Sequence, residues 1–100
     1  SAFVHKPAAV ISSSRRAGSV TSMDVLNKHL SISEMPIVTS NYWNEVHGHT
    51  PSDVEQDREG LDTMYALGKN MAWMLKCIEA GKKAGIEIPQ NKKRTTNFIR

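Results

Sequence analysis

Residues 8–18 read AAVISSSRRAG, and the fold turns on how this stretch is taken. Ala8, Ala9, Val10 and Ile11 are uninterrupted apolar residues, the pattern of a short strand buried on both faces of a parallel sheet. Pro7 opens that strand, where a missing N–H costs little. Three hydroxyls, two guanidinium groups and a glycine follow in a loop, Ser12 to Gly18. From about Thr21 to Leu30 the spacing changes: Met23, Leu26 and Leu30 fall at steps of three and four, predicting a helix of about three turns with Ser19, Thr21 or Ser22 as its N-cap.

Working outward, Met35 to Ser40 (MPIVTS) reads as a second buried strand with its proline at the entrance, followed by the aromatic and polar loop NYWNEVHGH at 41–49. Thr50-Pro51-Ser52-Asp53 then has the composition of a helix start: a hydroxyl cap, proline at the first helical position and a carboxylate three residues after the cap. One helix from there to Ala84 would run to some 50 Å, so a break near Asp57 to Gly60 is expected. The main helix beyond it carries Leu61, Met64, Leu67, Met71, Leu75 and Ile78 on one face and stops at Gly85. Residues 86–100 form a polar tail containing Pro89.

The order strand, helix, strand, helix argues for α/β architecture with a parallel sheet and crossover helices. A two-stranded parallel sheet needs cover on both faces and neighbours on its edges, which two helices do not supply. The 100 residues therefore read as the second half of a larger α/β domain, in keeping with the marginal core that a chain of this length can bury. At 39% hydrophobic and 23% charged, with the charges mixed in sign, the composition is that of a folding chain rather than a disordered one.

Several function classes are disfavoured. Much of the +3 charge sits in the tail, at Lys82, Lys83, Lys92, Lys93, Arg94 and Arg100, away from Tyr42, Trp43, Tyr65 and Trp73, so no basic face interleaved with aromatics suggests nucleic-acid binding. No apolar run approaches the roughly 18 residues of a membrane span, and the first residues lack a signal-peptide layout, so no membrane association and a cytoplasmic location are expected. The single cysteine, Cys77, lies beside Leu75 and Ile78 and reads as a small core residue. His47-Gly48-His49 has no third ligand at metal-binding spacing, so no metal site is expected. Met64, Met71 and Met74 read as core.

In open parallel sheets ligands bind outside the carboxyl ends of the strands, where both unusual loops are expected. Backbone N–H groups before a helix, the positive end of its dipole, a permissive Gly18 and the side chains of Arg15 and Arg16 suit an anionic or amide-rich ligand. The plain alternative is a solvated connection whose arginines pair with surface carboxylates. Tyr42 and Trp43 can likewise cap a core, bury in a subunit contact, or form a flat wall for a stacked ring.

The runs RRAG at 15–18, MDVLNKHLSISEMPIVTSNYWNEVHGHTP at 23–51 and EGLDTMYALGKNMAWMLKCIEAGKKAG at 59–85, with TNFIR at the end, resemble the C-terminal half of the NADPH-dependent FMN reductases. These belong to the flavodoxin-like superfamily and include the iron–sulfur flavoproteins. The resemblance implies a five-stranded parallel sheet in the order 2-1-3-4-5, of which residues 1–100 supply strands 4 and 5, a partial flavodoxin-like fold. It implies FMN as cofactor and NADPH as electron donor, in an oxidoreductase with flavin and nicotinamide nucleotides as its partners. It further implies a homo-oligomer, or association with the missing N-terminal half. The phosphate-binding loop after strand 1, the flavin loop after strand 3 and the cysteine motif of the iron–sulfur members have no counterpart here. By resemblance Ser13, Ser14, Arg15, Arg16, Ala17 and Gly18 are flavin contacts, and Tyr42 and Trp43 close over the flavin of their own or a neighbouring subunit. No catalytic acid–base pair is expected, because the flavin carries the redox chemistry. The alternative of another class is a non-catalytic half-domain acting as an assembly module.

Overall fold

A computed structural model describes residues 2–96. The sheet has two short parallel strands, β1 (Ser12–Ser14) and β2 (Glu45–His47), with three helices, α1 (Ser19–Ile32), α2 (Pro51–Gln56) and α3 (Arg58–Lys83). The architecture is α/β, with α1 as the crossover between the strands. All of the TNFIR match but Thr96, and with it the end of the expected tail, residues 97–100, lie outside the described residues.

The two apolar runs expected as strands are parallel neighbours, but only through the single bridge Ala8↔Ile37, where Ala8 N–H donates to the Pro36 carbonyl at 2.9 Å and Val38 N–H to that of Ala8 at 2.8 Å. Regular pairing comes later, at Ser12↔Glu45, Ser13↔Val46 and Ser14↔His47. The strands thus lie downstream of Ala8–Ile11 and Met35–Ser40, and Ser12 to Ser14 and Glu45 to His47 belong to the sheet, not to its loops. The reason is a bulge. The offset between partners is 29 residues at Ala8–Ile37 and 33 at Ser12–Glu45, so the second strand carries four extra residues between the two contacts. Asn44 closes the bulge: its Nδ2 donates to the Val10 carbonyl at 3.1 Å, its carbonyl accepts from Ser12 N–H at 3.0 Å, and its Oδ1 accepts from Ser40 Oγ at 2.5 Å.

α1 begins at a cap of a different kind from the hydroxyl expected. Gly18 is the N-cap at φ +96°, a left-handed conformation that glycine adopts freely, and no side chain caps the helix. Ser19, expected as a cap candidate, is instead buried, and its Oγ donates to Ser14 Oγ at 2.7 Å, tying the start of α1 to the end of β1. The helix packs through Ser19, Met23 and Leu30; Leu26, expected inward, is 47% exposed.

The helix start at Thr50 is as the residues dictate. Thr50 Oγ1 accepts from Asp53 N–H at 3.3 Å and Asp53 Oδ2 accepts from Thr50 N–H at 3.1 Å, a reciprocal capping box with Pro51 at the first position. The expected break falls at Asp57, which ends α2 and caps α3. Gly85 at φ +84° ends α3 in a Schellman motif, with Ile86 N–H donating to the Gly81 carbonyl and Gly85 N–H to that of Lys82. Leu67 is buried and Leu61, Met64, Met71, Met74 and Ile78 are half-buried, whereas Leu75 and Cys77 are exposed, so Cys77 is no core residue. The α3 stripe outruns a three-residue sheet, and its distal turns have nothing to pack on. No helix among the described residues is long and apolar enough to cross a membrane.

Among the described residues only Met23, Val38 and Leu67 are buried apolar residues. The radius of gyration is 17.3 Å, against about 13 Å for a compact domain of this length. The molecule is a thin slab, 49 × 47 × 20 Å.

Candidate functional site

β1 and β2 end together, Gly48 N–H donating to the Ser14 carbonyl at 3.0 Å, and this junction is the carboxyl rim of the sheet. Ser13 and Ser14 are the last strand residues there; Ser14 is half-buried under its bond from Ser19. Arg15, Arg16, Ala17 and Gly18 form the exposed turn that follows. Neither Arg15 nor Arg16 makes an ion pair among the described residues, so the alternative of arginines paired with surface carboxylates has no support in the geometry. No acidic residue lies in the first turn of α1 and no side chain caps it. The turn therefore gathers two unpaired guanidinium groups and the uncapped amides of a 14-residue helix, a donor set that attracts negative charge. Gly18 serves conformation, not room: a Cβ there would meet nothing within 4 Å.

Tyr42 and Trp43 are not beyond the second strand. They lie in the bulge before β2, upstream of the rim, with ring centroids 6.1 Å apart and planes inclined at 39°. They line a groove of about 450 Å³ between the bulge and one side of α1, walled by Val20, Met23 and Ile37, with Asp24 and Asn27 along its polar border. None of Ser13 to Gly18 lines this groove, so the structure does not bring the two groups into one cavity. Sequence reasoning missed the α1 members; Val20, Met23, Asp24 and Asn27 share a helical face by their steps of three and four, a signal legible beforehand.

A smaller recess of about 280 Å³ surrounds Asp57 on the other side, bordered by Tyr42, Glu45, His47, Glu59 and Thr63. Asp57 Oδ1 accepts from Gly60 N–H at 3.0 Å and Oδ2 from His47 N–H at 2.7 Å. These two amides, Gly60's foremost, together with the nearby His47 imidazole 3.8 Å away, hold the carboxyl below its usual range against the opposing effect of burial. One carboxylate thus caps α3 and pins the end of β2. Among the described residues no group of three or more His, Cys, Asp or Glu converges on a metal position, His47 and His49 included.

Compared with known proteins, the chain matches no family model, no curated protein and no solved structure.

Proposed function

We propose that this chain is the flavin-ring side of an FMN-dependent NAD(P)H oxidoreductase, a partial flavodoxin-like unit in which β1 and β2 stand as strands 4 and 5. The observation that carries the reading is the rim turn: the unpaired Arg15 and Arg16 and the uncapped start of α1 meet at the carboxyl end of a parallel strand. The donor set fits the electron-rich N1 and O2 edge of a flavin. FMN, when bound, supplies the hydride-accepting chemistry for NADPH. Arg15 and Arg16 would donate to that edge and hold the negative charge that gathers there on reduction, beside the uncapped first turn of α1 that begins at the left-handed Gly18. Ser14 positions the turn by accepting the hydrogen bond from Ser19 Oγ, and Ser13 is the exposed strand residue before it. Tyr42 and Trp43, set apart in their own groove, take no part in this proposal.

Fluorescence titration of FMN with the full chain tests it. Saturable quenching is expected, weakened about tenfold or more in the Arg15→Ala/Arg16→Ala variant, the loss of charge-assisted donors at an exposed site. Equal quenching in both proteins, or none in either, would refute the assignment.

A further inference from the structure

The groove between α1 and the bulge is the chemical opposite of the rim. Tyr42 and Trp43 present their rings along it, 55% and 56% exposed, on a main chain that is pinned: Tyr42 N–H donates to Ser40 Oγ at 3.3 Å and Glu45 N–H to the Trp43 carbonyl at 2.7 Å. Val20, Met23 and Ile37 supply an apolar wall. Two large rings held in contact with water beside that wall form a pre-organised surface that gains by being covered.

The polar border decides the sign of the occupant. Asp24 lies on it, exposed, and makes no ion pair among the described residues. No Lys, Arg or His among the described residues lines the groove, so in a chain of net charge +3 its one formal charge is negative. The faces of aromatic rings are negative as well and attract cations. Asn27, three residues on and on the same side of α1, has a buried Oδ1 without a hydrogen-bond partner, a further acceptor. A carboxylate, ring faces and an unsatisfied amide oxygen together select a positively charged N–H donor, and the carboxylate repels the anions that the rim attracts.

The groove stands apart from the β1 edge, which the flavin reading leaves to strand 3. No residue from Ala8 to Gly18 lines it. It is built on the second strand and the flank of α1 beside that strand, the outer side of the sheet in the order 2-1-3-4-5.

We infer that this groove binds a small organic cation of the arylalkylamine class, an aromatic body with an ammonium head. The body lies against Tyr42, Trp43 and the apolar wall; the ammonium donates to the Asp24 carboxylate and, with the Asn27 side chain turned into the groove, to its Oδ1. A volume of about 450 Å³ is that of a small-molecule site. The inference goes beyond the flavin proposal and does not depend on it, and its test contains no FMN.

Titration of the isotope-labelled full chain with phenethylamine at neutral pH, followed by amide chemical shifts, is expected to saturate, to move Asp24, Asn27 and Asn41 to Asn44, and to leave Arg15 to Gly18 in place. Phenethyl alcohol and hydrocinnamate, of similar shape without the positive charge, should bind at least about fivefold more weakly. Asp24→Asn, isosteric at an exposed position, should weaken the amine about fivefold and change the alcohol little; the same spectra report that the variant is folded. No saturable shift, shifts centred outside the groove, an amine bound no more tightly than the carboxylate, or an Asp24→Asn variant that binds the amine as well as the original would each overturn the inference.

Discussion

The substitution Gly60→Ala tests how one carboxylate joins a helix to a strand. A Cβ on Gly60 would lie 2.3 Å from Asp57 Oδ2, 2.8 Å from its Cγ and 3.0 Å from Val46 Cγ1. The carboxylate must swing away, and it is not free to do so, because Oδ2 holds His47 N–H and Oδ1 holds Gly60 N–H. Losing an N-cap costs about 1 kcal/mol, and losing a charge-assisted bond to a partly buried amide costs about 1.5–3 kcal/mol. Replacing a helical glycine by alanine returns about 1 kcal/mol. Gly60→Ala should therefore destabilise by about 1.5–3 kcal/mol, read as a lower urea midpoint by circular dichroism. In an Asp57→Ala background the obstacle is gone, and the same change should be neutral or stabilising by up to about 1 kcal/mol. The double-mutant cycle should thus return a coupling of about 1.5–4 kcal/mol. A Gly60→Ala change equally harmful in both backgrounds would place the conflict at Val46 and refute the reasoning about the carboxylate; a neutral change in the original chain would refute it as well.

Two other outcomes follow from the same joint. The carboxyl of Asp57 titrates below its ordinary value in the folded chain, so the stability it contributes is complete above the unfolded-state value near about 3.9 and is lost as pH falls through the lower folded value. The stability difference between the original chain and Asp57→Asn should be largest above that range and shrink in stronger acid; a difference independent of pH would contradict the assignment. A Cβ on Gly48 would come within 2.7 Å of both the backbone nitrogen and Cγ2 of Val54. Because a helix backbone yields less readily than a side-chain end, Gly48→Ala should cost about 1–3 kcal/mol, and a change in urea midpoint below that range would show that α2 shifts freely.

Local order was legible wherever neighbouring residues complete a motif among themselves. The capping box of Thr50 and Asp53, the stop at Gly85 and the break before α3 each close within a few residues, so side-chain chemistry at fixed spacing decides them. The rim turn was legible in part. Its guanidinium groups and glycine could be read, but not that Gly18 would cap α1 while Ser19 turned inward to Ser14, a choice made by packing between β1 and α1.

The sequence alone determined that Ala8 and Ile37 belong to apolar segments able to run side by side, that helices follow each, and that hydroxyl, guanidinium and aromatic groups stand between them. Only the tertiary structure decided the register: Asn44 reaches 34 residues back to Val10, four residues loop out, and Tyr42 and Trp43 leave the rim for a groove against α1. The same holds for Leu75, whose helical spacing marks an inward face while the short sheet beneath offers nothing to cover it, whereas Cys77, two residues on, turns off that stripe into solvent. The physical reason is common to both: periodicity states which residues can share a face, but which face finds a partner depends on long-range pairing, and a single bulge moves every residue beyond it.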